Sequence, residues 1–211
     1  MIRFNLFIIG LSFAAAAEEK APVEKFAAAY EISNWGKAAK ALQKMPDSPK
    51  KQLFEAFYEF NAAKGNKHKS IEILLRLLAE KSCPDDVRRQ ALLTAGRNLE
   101  MMRMRPDLYK QLDSFPEVAP FYAELIDKSP GSKEGIYAIL FTCRGSVVQA
   151  NKDKEKIRTA LQVAAKQLEA VGDSLPAFSA AVHWYLGNEY IASLLDYRQA
   201  VLHLSTADRQ G

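Results

Sequence analysis

The sequence predicts an all-α protein built from antiparallel helical hairpins, with no sheet. Three observations carry that expectation. Apolar residues recur at spacings of three and four, as in Leu53, Phe54, Phe57, Tyr58 and Phe60, or Leu74, Leu75, Leu77 and Leu78. No alternating run is bounded by hairpin turns. The nine prolines act as punctuation, and the breaks between periodic stretches are short enough to force consecutive helices antiparallel.

The elements follow in order. Helices are expected over 22–32 and 35–45. Ser48-Pro49 opens a third over 49–64, because Pro fits the first turn and a Ser hydroxyl satisfies a free amide. Gly65 ends it, and a fourth covers 67–81. Cys83-Pro84-Asp85-Asp86 starts a fifth over 85–104, where the two carboxylates complement the helix dipole. A sixth, over 107–127, is interrupted near Pro116 and Pro120. Gly131 separates it from 132–150. Asn151-Lys152-Asp153-Lys154-Glu155-Lys156 reads as the capped start of 153–171, which Gly172 ends with the positive φ that Gly adopts cheaply. Ser174-Leu175-Pro176 opens 175–194, and the last helix covers 196–208. The pairs form five hairpins, 22–45, 49–81, 85–127, 132–171 and 175–208, in a single domain spanning 18–211.

Internal repetition sharpens the architecture. The last hairpin holds Leu186-Gly187-x-x-Tyr190, then Asp196-Tyr197-x-x-Ala200-x-x-x-Leu204-x-x-Ala207. The first holds Phe26-Ala27-x-x-Tyr30, then Asn34-Trp35-x-x-Ala38-x-x-x-Leu42. Small residues such as Gly187 and Ala200 let two helices approach, while Tyr190, Tyr197 and Leu204 fill the space around the crossing. These residues resemble the tetratricopeptide repeat, closely over 181–208 and loosely over 22–208. The middle hairpins depart from it: Ala95-Gly96-x-x-Leu99 is followed by Leu108 where a small residue is expected, and hairpins three and four are long. The resemblance implies a right-handed superhelix of about five stacked hairpins, an α-solenoid.

Composition bounds the function. With 48% hydrophobic and 26% charged residues over 211 positions, the chain is neither disordered, fibrous, disulfide-dense nor a multi-span membrane protein. A formal charge of +4 is too modest for a nucleic-acid-binding surface. Residues 1–17 read as an export signal: Arg3, an apolar stretch from Phe4 to Phe13, then Ala14-Ala15-Ala16-Ala17 before Glu18-Glu19-Lys20. The expected address is therefore exported, periplasmic or secreted, with cleavage after Ala17. The alternative is an uncleaved N-terminal anchor.

Export raises the question of Cys83 and Cys143. One precedes the third hairpin and the other lies mid-helix in the fourth, so the architecture predicts two separate thiols rather than a bond. His68, His183 and His203 fall in three segments without a metal-ligand partner at helical spacing, and His183 reads as a packed histidine. No HExxH, GxSxG, GxGxxG or phosphate-binding loop occurs, so no metal and no cofactor is expected. The basic run Lys64-Gly65-Asn66-Lys67-His68-Lys69 reads as a solvated hairpin tip.

A repeat array binds. The resemblance implies that the first helix of each hairpin lines an inner groove, with Ala28, Glu59, Arg97, Thr142 and Asn188 facing it. One turn earlier come Glu24, Glu55, Leu93, Ala138 and Trp184. Glu55, Glu59, Arg97, Trp184 and Asn188 are the candidate groove residues. Asn188 follows Gly187 as the carboxylate-clamp asparagine does in tetratricopeptide co-chaperones, but Trp184 stands where their lysine would, so the clamp does not carry over. The expected function is a non-catalytic scaffold or adaptor of the bacterial cell envelope that binds another protein or peptide. The alternative is an all-α envelope enzyme acting on glycan or peptide, with acids converging from separate helices. Ala200, Val201, Leu202 and Leu204 give the final helix an apolar surface that another subunit, a continuation of the chain or the folded-back N-terminal region would cover; the first two are favoured, because an open superhelix keeps its ends apart.

Overall fold

Ten α-helices and one π-helical turn make up the described residues, 20–105, 114–172 and 174–210, of the computed structural model, with no strand among them. They are α1 (Lys20–Glu31), α2 (Trp35–Gln43), α3 (Pro49–Asn61), α4 (Lys67–Ala79), α5 (Asp85–Arg103), α6 (Ala119–Lys128), α7 (Lys133–Gln149), α8 (Lys154–Val171), α9 (Pro176–Glu189) and α10 (Tyr197–Gln210). The π turn, Tyr190–Leu194, continues α9. The export segment 1–17 and residues 106–113, including Leu108, lie outside the described residues. None of the described helices is long and apolar enough to cross a membrane.

Local chemistry sets the helix ends. Ser48 Oγ accepts from Lys51 N at 3.2 Å with Pro49 behind it, and Asp153 accepts from the amides of Glu155 and Lys156. Pro84 and Leu175 start α5 and α9 without a side-chain cap, so there proline placement alone marks the boundary. The interruption expected near Pro116 falls at residues 114–118, which are not α-helical, and α6 begins at Ala119 with Pro120 in its first turn rather than breaking it. Of the three terminal glycines only Gly172 takes a positive φ, +65°. Gly65 is instead required by space, since a Cβ there would lie 2.3 Å from the Glu59 carbonyl oxygen.

The chain divides into two compact units, Met1–Ser70 and Ile71–Gly211. Unit 1 packs an aromatic core: Phe26 stacks on Phe54 at 4.9 Å, and Tyr30 meets Trp35 edge-on at 5.4 Å. Ala38, Leu53, Ala56 and Phe57 close around them, and Ser70 Oγ donates to the Ala56 carbonyl at 2.8 Å. In unit 2 consecutive helices from α5 to α10 pack on one another, and α7 also packs against α5 and α9. Its core runs through Ile136, Ile139, Cys143, Leu161, Ala164, Val182, Leu186 and Tyr190. Arg88 ties α5 to α6 through two bonds to Glu124 Oε1, at 3.1 and 2.9 Å, while its Nη1 donates to the Leu78 carbonyl.

Cys83 and Cys143 are both free and buried, as two separate thiols. Cys143 Sγ lies 3.7 Å from the Ala160 carbonyl it donates to. Burial, with the Glu189 charge adding to it, pushes its thiol up to about 12.

Candidate functional site

Two features of unit 2 stand out from ordinary helix packing. The first is a row of aromatic rings across α6, α7 and α9. Tyr122 is buried against α5, where Gly96 leaves room for it: a Cβ on Gly96 would sit 2.5 Å from Tyr122 Cε1. Its hydroxyl donates to Glu100 Oε2 at 3.2 Å. Phe141 stacks on Tyr122 at 5.8 Å and on Tyr137 at 6.2 Å, and Tyr137 meets Phe178 edge-on at 5.6 Å. Phe141, Tyr137 and Phe178 are only half-buried. Two cations lie over the row, the Arg97 guanidinium 5.2 Å from the Phe141 ring centre and Lys133 Nζ 5.8 Å from that of Phe178. Arg97 makes no ion pair among the described residues. Burial raises the Tyr137 hydroxyl and lowers the Lys133 ammonium from their usual ranges.

The second feature is a polar cleft of about 850 Å³ between α8, α9 and α10. His183 of α9 and His203 of α10 meet in it, Nδ1 to Nδ1, at 3.0 Å. Their ring centres are 5.2 Å apart and the planes differ by 24°. That separation leaves nearly the full radius of each ring along the nitrogen–nitrogen line, so the two in-plane lone-pair directions point at one another. A metal held by both would need lone pairs converging on a point off that line. The geometry is that of one hydrogen bond, in which a single Nδ1 carries the proton. Among the described residues no group of three His, Cys, Asp or Glu is placed to hold a metal ion.

Tyr190 stacks on His203 at 5.5 Å from the π turn, and Ser179, one turn before His183, places in the same cleft a buried hydroxyl with no hydrogen-bond partner. Desolvation holds both imidazoles below their usual range; the His183 charge lowers His203 further, and Glu169 of α8 opposes the shift on both.

The sequence-predicted groove residues have separate fates. Glu59 in unit 1 is tied to the α3–α4 turn: its carboxylate accepts from Asn66 N at 2.9 Å and pairs with Lys69 Nζ at 2.5 Å. The run from Lys64 to Lys69 is thereby partly structural, and Lys67 also lies over the Phe60 ring. Glu55 is half-buried on α3 of the same unit. In unit 2, Arg97 covers Phe141, Trp184 is 50% exposed, and Asn188 Nδ2 donates to the Trp184 carbonyl at 2.7 Å. Leu93 and Ala138, expected to face the groove one turn earlier in their helices, are instead core residues.

The histidine pair was not legible as a site because the two residues stand twenty positions apart. A signal existed: Gly187 beside Leu204 fixes the hairpin's register, which brings His183 within a turn of His203. On the final helix Val201 and Leu202 are exposed as expected, but Ala200 is buried and Leu204 is half-buried against Gly187. The chain matches no protein-family model, no curated protein and no solved structure.

Proposed function

We propose that the protein is a binding scaffold, and that unit 2 takes a segment of another protein across the face formed by α5, α7 and α9. One observation carries the reading: half-buried Tyr137, Phe141 and Phe178 lie in a row beneath Arg97 and Lys133. Aromatic and arginine side chains are the anchors that protein interfaces concentrate: aromatics bury much area with little loss of rotamer freedom, and the planar guanidinium stacks on rings while donating several hydrogen bonds. Packing of α7 on both α5 and α9 supports the tetratricopeptide-like superhelix, in which first helices of successive hairpins adjoin. Export, with the cell envelope as the place of work, belongs to the same proposal and rests on the pattern of residues 1–17.

The experiment is cross-linked capture from envelope extract with the wild-type chain and with Arg97→Ala and Phe141→Ala. The reading expects one partner whose recovery falls in both variants while each keeps the helical circular dichroism of the wild type. Equal recovery by all three would remove this face from the binding surface.

The enzyme alternative has one observation in its favour: Glu169 of α8 and Asp196 ahead of α10 line the same cleft. Asp196 is occupied in capping α10, accepting from Gln199 N at 3.1 Å. Release of fragments from cell-wall glycan or peptide by the wild type, lost in Glu169→Gln, would establish that reading instead.

A further inference from the structure

We propose that His183 and His203 are a proton sensor, a one-proton latch between α9 and α10 that opens on acidification. The site is separate from the aromatic face, and the inference does not depend on the binding role.

The argument starts from hydrogen counting. A neutral imidazole carries one N–H, so two neutral rings facing each other through Nδ1 make one bond when one presents a hydrogen and the other a lone pair. The 3.0 Å separation and the in-line rings meet that requirement. One added proton, taken at the donor ring's outer Nε2, leaves that bond in place as a charge-assisted one; a second, on the other ring, leaves no acceptor. Both facing nitrogens then carry hydrogen, and two positive charges share a half-buried site. The bond becomes a repulsion across a helix–helix contact, and the rings must part.

The surroundings decide whether the extra charge is absorbed. From α8 the cleft receives Arg158, Lys166 and Glu169; the π turn adds Tyr190, the start of α10 adds Asp196, and its last turn adds Arg209. Asp196 is committed to its cap and Arg158 is paired with Glu155, leaving Glu169 as the carboxylate that acts on both imidazoles. Glu169 is solvent-exposed on α8, so its field is screened. Desolvation therefore prevails over it, and the pair is neutral at neutral pH.

The mechanical consequence is local. His203 also holds the Tyr190 ring, which sits in the π turn next to Leu195, a residue with φ of +56°. Parting the imidazoles releases the α10 side of the cleft and gives water access to the buried Ser179 hydroxyl.

Amide hydrogen exchange of the full chain at about pH 7.5 and about pH 5.5, corrected for intrinsic chemistry, reads the latch directly. The expected result is roughly tenfold faster exchange in α10 relative to α5 at the lower pH, the factor that one proton taken up on opening gives about one pH unit below the ordinary imidazole value. The double variant His183→Gln/His203→Gln should lose that pH dependence. Imidazole resonances of the wild type should titrate as a coupled pair in two steps, a readout that survives if the variant folds poorly. Unchanged α10 protection in the wild type, the same acceleration in the double variant, or two imidazoles titrating independently would each overturn the latch.

Discussion

Gly187 and Leu204 compete for one volume: a Cβ on Gly187 would lie 2.6 Å from Leu204 Cγ and 3.2 Å from the Ala200 carbonyl oxygen. The absence of a side chain at 187 is what lets α10 lie against α9. Gly187→Ala should therefore destabilise the protein by about 1–3 kcal/mol, the usual penalty for overpacking a helix contact. Adding Leu204→Ala should recover part of that loss, giving a double variant less destabilised than the sum of the singles. Urea unfolding of the four chains checks both statements.

The Tyr122 hydroxyl is held protonated by burial first and by the Glu100 carboxylate second. Burial likewise raises the Tyr185 hydroxyl far above its usual range, so in an alkaline absorbance titration both phenols should stay un-ionised after the exposed tyrosines have titrated, and should ionise only as the chain unfolds. Tyr122→Phe should reduce the amplitude of that late step by one phenol. Its cost in stability is expected at about 1.5 kcal/mol, the low end for a hydrogen bond to a charged acceptor, because the Glu100 carboxylate is only half-buried.

Both thiols should be slow to react. Burial raises the Cys83 thiol and pushes Cys143 to about 12, so little thiolate exists near neutrality. Native protein treated with a disulfide reagent at about pH 8 should label at Cys143 at least a hundredfold more slowly than a free cysteine peptide. In denaturant without reductant both cysteines should titrate. Failure to find two thiols would mean that Cys83 and Cys143 are joined.

Acid should weaken the α5–α6 contact. Burial tends to raise the Glu124 carboxyl, but bonds from Arg88 and Lys128 prevail and hold it below its usual value. A carboxyl whose folded value is depressed contributes its stability above the unfolded value, near 4.3, and loses it as pH falls towards the folded one. Stability should decline through that window by about 1 kcal/mol more in the wild type than in Glu124→Gln, which should be weaker at neutral pH by a similar amount. Thermal unfolding across the acid range tests the sign.

Helix formation was the legible part of this protein. Ser48-Pro49, Pro84-Asp85-Asp86 and Leu175-Pro176 mark helix starts that the structure places within a residue of the expected positions, because capping and proline geometry act within one turn. The apolar spacing likewise announced Phe54, Phe57, Leu74 and Leu77 as core. Faces were less legible. Leu93 and Ala138 look no different from groove residues in a periodic sequence, yet they are buried, and which stripe a helix buries depends on its neighbours. Of the residues joined across helices, the contact of Gly187 with Leu204 was legible from the repeat spacing, and the histidine pair was not. Local chemistry determined where each helix begins and ends; only the tertiary register of α9 on α10, set by Gly187 against Leu204, brought His183 to His203 and turned two unrelated histidines into one proton site.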